Sequence, residues 1–320
     1  MNERKRIVFQ IHGVRIGIRS DSADATDLMC ERLADYRADG IERCEAEIEI
    51  QTKSAPFSPA GIRKEFSWIR SRPLYGDFDN DILRLTDGRS ISVTRYEERR
   101  AEIFLDPETL TDPLFTSRTF LPMALLELLR TFGFFCIHGA LCVREKRGIL
   151  ILGHGGSGKS TISAALLREG FKIVGDDNLL FHLGPGGVSL GFPFERELSL
   201  SPEALAQFDP LASIHPTAKI RIPLRVLPSD RVATNAVPNE IVYLTGEDED
   251  AGGPLDPAEA FTIILEENPL FLLSSRLASS HLQTIRTLIR NARSCSVSLK
   301  HRHPLDLEEI AARFLRLASS

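Results

Sequence analysis

The chain has 320 residues, 42% hydrophobic and 26% charged, with a formal net charge of −5. That is the composition of a soluble globular protein, and it excludes disorder, collagen and coiled coil. At roughly 100 to 200 residues per domain the length predicts two domains, each able to bury a core without disulfides or structural metal. The weak acidity offers no electrostatic footprint for nucleic acid or an anionic membrane, so neither is expected as a partner.

The five cysteines, Cys30, Cys44, Cys136, Cys142 and Cys295, are odd in number and scattered. Without a CxxC pair or a zinc-like His/Cys spacing they fit a reducing compartment. The first twenty residues alternate polar and apolar side chains and do not form the continuous apolar run of a signal peptide, so the expectation is cytoplasmic. The most apolar stretch, Phe120 to Val143, is interrupted by Glu127, Arg130 and His138 and does not read as a membrane span.

In chain order, the first hundred residues read as strands. Phe9 and Ile11, then Val14, Ile16 and Ile18, alternate around His12 and Gly13 as a half-buried hairpin does. Ala46–Ile50, Ile82–Leu85, Ile91–Thr94 and Ala101–Leu105 follow, with Asp87 and Gly88 closing a turn. One helix is expected between Ala25 and Tyr36. Trp68, Tyr75 and Phe78 are expected to pack rather than bind. Residues 1–111 are thus read as a strand-rich α+β accessory domain.

From Asp112 to Thr131 the period becomes helical, through Leu121, Leu125, Leu128, Leu129 and Phe132, and Gly133 ends it. This helix is taken to open a second domain, 112–320. There a strand Phe135–Val143, a turn Arg144–Arg147, a strand Ile149–Leu152, a glycine loop, a helix Lys159–Arg168 and a strand Phe171–Val174 make a βαβ pattern. Ile149–Leu152 is wholly apolar, as a strand buried on both faces requires. Further strands are expected at Leu179–His182, Lys219–Val226, Glu240–Leu244 and Ser296–Leu299. Helices are expected from Ser201, from Asp256 with its Pro257 and Glu259 capping signals, from Ser275 to Ala292 and from Leu305 to Leu317. Gly246–Pro254 reads as a surface loop. The fold class is α/β: a central mostly parallel or mixed sheet with flanking helices around a P-loop core.

Gly153–Ser160 reads GHGGSGKS, which matches G-x-x-x-x-G-K-[ST] between a predicted strand and a predicted helix. Glycines let successive backbone N–H groups face phosphates, Lys159 reaches the β and γ oxygens, and Ser160 offers a hydroxyl to Mg²⁺. The nucleotide-contacting set is Gly153, Gly155, Gly156, Ser157, Gly158, Lys159, Ser160 and Thr161. Asp176 and Asp177 directly follow the apolar strand Phe171–Val174, and carboxyl ends of parallel strands face ligands. One carboxylate can hold Mg²⁺ and the other can take the proton of an attacking hydroxyl; both assignments stay open. Asp176 is the metal candidate beside Ser160. His138, on a strand beside the loop strand, is a further candidate near the γ-phosphate. Glu195, Arg196 and Glu197 are weaker candidates. Lys219, Arg221 and Arg225 share one strand face by period two, more simply a solvated basic face than a phosphate clamp, and His301 and His303 likewise have an ordinary exposed reading.

The run from His138 to Asn178 resembles the catalytic core of the HPr kinase/phosphorylase family. It has a His-Gly before a strand, a strand-flanked phosphate loop, a glycine near the helix end and a V-x-D-D doublet. The resemblance implies a P-loop fold related to phosphoenolpyruvate carboxykinase and the phosphorylation of a protein serine with ATP and Mg²⁺. Carried over by position, it implies nucleotide contact at Gly153 to Thr161, an active-site role for His138, and catalytic and metal roles for Asp176 and Asp177. The family's later L-E-I-R-G-L-G signature has no counterpart; Leu190–Ser201 reads LGFPFERELSLS. That departure leaves HPr as substrate and the reverse reaction open, and the chain fits more comfortably beside HPr-kinase-like proteins that resemble serine kinases of small peptides or other proteins. The expected partner is a protein or peptide with a serine hydroxyl, with room for a homo-oligomer. A P-loop NTP hydrolase and a nucleotide-binding regulatory protein are the alternatives.

Overall fold

The computed structural model describes residues 6–40, 43–53, 64–66, 73–79, 81–207, 220–246, 249–268, 275–300 and 305–319. Trp68, Lys219, His301 and His303 lie outside them. The chain divides into two compact units after Phe134, the first unit also taking the start of one later helix through Ser279.

The first unit contains β1 (Arg6–Ile11), β2 (Val14–Ser20), α1 (Ala23–Arg32), β3 (Arg37–Ala38), β4 (Ala46–Thr52), β5 (Lys64–Phe66) and β6 (Leu74–Asp79). It continues with β7 (Ile82–Thr86), β8 (Ile91–Arg95), β9 (Arg100–Leu105), α2 (Pro107–Leu110), α3 (Pro113–Phe115) and α4 (Leu121–Arg130). Among the described residues its strands form one mixed sheet, ordered β3-β1-β2-β4-β9-β8-β7-β6-β5, with β2–β4 and β4–β9 parallel. The predicted hairpin is present: Ile11 pairs with Val14, and His12 and Gly13 take φ +48° and +94° in the two-residue turn. Asp87 closes the β7–β8 turn by accepting from the N–H groups of Arg89 and Ser90. Phe78 packs against Tyr96, ring centroids 5.8 Å apart.

Two expectations about 112–134 need correction. Asp112–Thr131 is not one regular helix: α3 leads into a π-helical stretch, Thr116–Phe120, before α4. Pro122 has no N–H to give the ordinary ladder, and the widened turn precedes it. The border also falls after Phe134 rather than after residue 111, because every residue of α4 is buried and the helix packs on β4, β8 and β9. Tyr96 Oη donates to Glu127 Oε2 (2.5 Å), as does Arg130 Nη1 (2.7 Å), in the same buried spot. Gly133, at φ +80°, ends the helix, with Phe134 N–H returning to Leu129 O.

The second unit contains β10 (Phe135–Arg144), β11 (Arg147–Gly153), α5 (Lys159–Arg168), β12 (Lys172–Gly184), β13 (Val188–Pro193), β14 (Glu197–Leu200) and α6 (Pro202–Leu205). It continues with β15 (Ile220–Pro223), β16 (Glu240–Leu244), β17 (Ala251–Pro254), α7 (Pro257–Glu267), the remainder of α8 (Ser275–Asn291), β18 (Arg293–Ser298) and α9 (Leu307–Leu317). The seven-stranded sheet runs β13-β12-β10-β11-β16-β18-β17, while β14 and β15 form a separate two-stranded ribbon. Within this sheet, among the described residues, β11–β16 and β16–β18 are parallel and the other neighbours antiparallel. The sheet is therefore mixed, as an α/β fold with helices on both faces.

The helix after the glycine loop carries the chain from β11 to β12, which run in the same direction. They are not neighbours, however: β10 lies between them, antiparallel to both. Side chains of β11 alternate across the sheet. Ile149 and Ile151 join Ile162, Leu166 and Phe314 under α5 and α9, whereas Leu150 and Leu152 join Ile264, Ile285 and Leu288 under α7 and α8.

Three further differences follow from long-range pairing. The strand expected to end at Val174 runs through to Gly184 and absorbs the one expected at Leu179–His182, because β10 and β13 offer partners along its length. Lys219–Val226 shortens to β15 followed by a 3₁₀ turn, Leu224–Val226, so Arg225 leaves the strand face shared by Arg221. Gly246–Pro254 is not all loop: Ala251–Pro254 pairs with β18 at the sheet edge. Gly252 lets α9 approach closely, since a Cβ there would lie 2.8 Å from Leu317 O. The capping box at Asp256 and Glu259 forms as its sequence requires.

Candidate functional site

The glycine loop begins where β11 ends. Gly153 takes φ +144°, and a Cβ there would lie 2.7 Å from Ser157 Oγ and 2.9 Å from Leu244 O, so only glycine fits. Ser157 N–H donates to His154 O at 3.0 Å, folding the chain back on itself. Gly156 and Gly158 take φ +91° and +98°. Added Cβ atoms at Gly155, Gly156 and Gly158 would meet nothing within 4 Å, so the loop's outer side opens on free space.

Gly158 is the N-cap of α5, and no side chain caps it. The first N–H groups of an α-helix have no intrahelical acceptor, and the aligned peptide dipoles leave about half a positive charge there. Lys159 is the first helical residue and is buried. Its Nζ donates back to Gly153 O (2.5 Å) and His154 O (3.1 Å). Ser160 and Thr161, half-buried, complete the first turn. Ser157 Oγ is buried without a hydrogen-bond partner.

Contacts of His154 steady the loop from outside. His154 Nδ1 lies 2.6 Å from Glu267 Oε1 at the end of α7, and Nε2 lies 2.9 Å from Tyr243 Oη on β16. Burial, followed by the charges of Glu267 and Glu266, pushes the Tyr243 hydroxyl up, so it remains a donor.

The aspartate doublet sits inside β12, with Asp176 opposite Ala140 and Asp177 opposite Gly139. Its two carboxylates have different surroundings. Asp176 is buried; its Oδ2 accepts from Ser199 N–H on β14 at 3.1 Å. Its partner Ala140 belongs to the core beneath α5, which puts Asp176 on the α5 side of the sheet. Cys142 connects the two: burial, against a hydrogen bond with Ser163 of α5 and with the Asp176 charge, pushes its thiol up to about 12. Ser163 Oγ in turn donates to Lys159 O at 3.0 Å. The doublet and the loop are thus linked through the first turns of α5.

Asp177 takes φ +92°, a rare conformation for a residue with a side chain. The twist breaks the strand's alternation and brings its carboxylate to His138, the residue opposite Asn178. His138 Nδ1 lies 3.1 Å from Oδ1, and Arg221 Nη1 donates to Oδ2 at 2.9 Å. Burial alone raises the Asp177 carboxyl. The hydrogen bond and charge of His138, with the Arg221 guanidinium, outweigh burial and hold it well below the usual carboxylate range. His138 itself is anchored by its N–H, which donates to Asn268 Oδ1 at 2.6 Å.

Arg221 also donates to Glu195 Oε2 (3.2 Å) and lies 3.9 Å from Glu197 Oε2. Glu195 is buried, its other oxygen accepting from Asn178 Nδ2 at 3.0 Å. The structure therefore brings His138 and Asp177 together with Arg221, Glu195 and Asn178, and it sets Asp176 on a different partner. Arg221 is not a solvated face residue. Its pairing had no local signal beyond period two, because its partners lie on three other segments. Asn268 and Tyr243 carried no sequence signal at all.

Among the described residues no three His, Cys, Asp or Glu side chains gather as a metal cage. No helix among them is long and apolar enough to cross a membrane.

The sequence matches no protein-family model and no curated protein. Among solved structures the chain is similar to the Hpr(Ser) kinase/phosphatase from Coxiella burnetii, with 20% identity and a TM-score of 0.30. The match covers 57% of this chain and 97% of that one. At that identity and score, the likeness adds nothing to what the residues themselves show.

Proposed function

We propose that the second unit is a kinase that passes the γ-phosphoryl group of ATP to a hydroxyl, with Mg²⁺, the acceptor being a serine of a protein or peptide. The observation that carries this reading is the split between the aspartates: Asp176 buried on the α5 side, Asp177 partly exposed and held ionised by His138 and Arg221.

The residues present fit the nucleotide. Three glycines leave free space above an uncapped helix N-terminus, and Ser157 Oγ in the same loop lacks a partner. They also fit Mg²⁺, which binds one or two protein oxygens plus phosphates and needs no all-protein cage. Ser160 and Asp176 are the protein oxygens for it. Bound ATP with Mg²⁺ supplies the transferable phosphoryl group and neutralises charge on it.

The chain's own part is positioning. Lys159 leaves the loop carbonyls and offers its ammonium to the phosphates, while the loop N–H groups hold them. Asp177 orients the acceptor hydroxyl for in-line attack and takes its proton as the new oxygen–phosphorus bond forms and the bridging bond breaks, leaving ADP. A carboxylate with so low a proton affinity is a weak base. Little base strength is needed when the transition state is largely dissociative. His138, fixed through Nδ1, keeps Asp177 in place.

Incubation of the protein with γ-labelled ATP, Mg²⁺ and a cell lysate, followed by identification of labelled polypeptides, tests the reading. Label on serine of a specific polypeptide supports it. Phosphate release at the same rate with and without any acceptor, and no labelled polypeptide, would replace it with a hydrolase.

A further inference from the structure

We infer that Arg221 is a positioning residue that holds Asp177 in its strained, acceptor-facing conformation, an inference that rests on the kinase reading above. Four features of the structure carry it. Asp177 has φ +92°, and a non-glycine residue in that region stores about 1–3 kcal/mol and persists only where its surroundings impose it. Both of its oxygens are taken, Oδ1 by His138 and Oδ2 by Arg221. The same Arg221 nitrogen donates to Glu195, whose carboxylate is 2% exposed, so the guanidinium is fixed from behind by a buried charge. Arg221 is also paired directly with Ser199, whose N–H holds Asp176.

The β14–β15 ribbon therefore addresses both members of the doublet, one through a backbone N–H and one through a side chain. In this arrangement the Arg221 guanidinium contacts the carboxylates of Asp177, Glu195 and Glu197. It is spent on carboxylates, and its effect on transfer passes through Asp177. Lysine does not replace it, because its ammonium is a point charge on a flexible stem and is not held, as the rigid planar guanidinium holds Nη1, at the one position that serves Asp177 and Glu195 together.

Removal of Arg221 separates this role from nucleotide binding. In Arg221→Ala, kcat for labelled-ATP turnover falls on the order of 10²-fold, the loss typical of a misplaced catalytic group. The KM for ATP stays within about twofold, and added guanidinium restores part of kcat. Arg221→Lys, which keeps the charge and guards against a folding failure of the alanine variant, also lowers kcat at unchanged KM. Unchanged kcat in folded Arg221→Ala, a KM raised by the factor that kcat loses, or a wild-type kcat in Arg221→Lys would each overturn the inference. A structure of Arg221→Ala needs no turnover: Asp177 leaving positive φ or parting from His138 supports the role, and an unmoved Asp177 overturns it. If the wild-type chain turns over no ATP, the kinase reading fails by itself, and that structure still decides what Arg221 holds.

Discussion

His138 and Asp177 stand on adjacent antiparallel strands, and the imidazole Nδ1 lies 3.1 Å from the carboxylate only because Asp177 turns to φ +92°. Asparagine tolerates that region better than other residues. Asp177→Asn should therefore fold, bind ATP with nearly the wild-type Kd, and lose turnover. A joint loss of binding and turnover, read by titration calorimetry and phosphoryl transfer, would make Asp177 a metal-holding residue instead.

The same carboxylate sets a pH dependence. Its folded value lies well below that of a free Asp, about 3.9. A group depressed on folding contributes stability in full above its unfolded value and loses it as pH falls through the folded one. The stability difference between wild type and Asp177→Asn should thus stay flat from about pH 8 down to about pH 4 and shrink only below that. Urea melts across this range check it; a gap that closes between pH 5 and 7 would place the responsible group elsewhere.

Lys159 is buried, and its ammonium serves two loop carbonyls in the structure. Lys159→Ala should abolish transfer while leaving the fold in place, with the melting temperature reporting a loss of about 1–3 kcal/mol for charge-assisted hydrogen bonds. Full activity in this variant would remove the nucleotide assignment of the loop.

Two loop glycines distinguish strain from collision. A methyl at Gly153 would strike Ser157 Oγ and the Leu244 carbonyl, whereas one at Gly156 would meet open space; both glycines have positive φ. Gly156→Ala should cost about 1 kcal/mol from conformation alone, and Gly153→Ala distinctly more. Equal losses in thermal melts would mean that the Leu244 strand yields.

In the first unit, Glu127 carries the polar contact beneath α4, accepting from Tyr96 and Arg130 in a buried spot. Glu127→Ala removes the counter-charge of a buried guanidinium and should cost about 3–5 kcal/mol. Chemical denaturation followed by circular dichroism checks it; a loss below about 1 kcal/mol would mean that Arg130 is satisfied by its other contacts.

Local chemistry was legible wherever the requirement was local. His12-Gly13 demands a tight turn, Asp256 with Glu259 demands a helix start, and the glycine-rich GHGGSGKS demands a tight loop between a strand and a helix, where Gly153, Gly156 and Gly158 take positive φ. The doublet was legible as chemistry but not as geometry. Neighbouring carboxylates in a sequence look equivalent, and only the pairing of β12 with β10 and the turn at Asp177 gave them different partners.

What the amino-acid sequence determined by itself, then, was the loop, the helix behind it and the acidic pair, because backbone conformation and side-chain chemistry there depend on residues within a few positions. The tertiary structure alone decided that β10 separates β11 from β12, that α4 belongs to the first unit, and that Arg221, Glu195 and Asn178 close around Asp177. Those outcomes turn on which apolar faces bury one another and which strands find edges, and the loops between them leave no trace of that competition in local pattern.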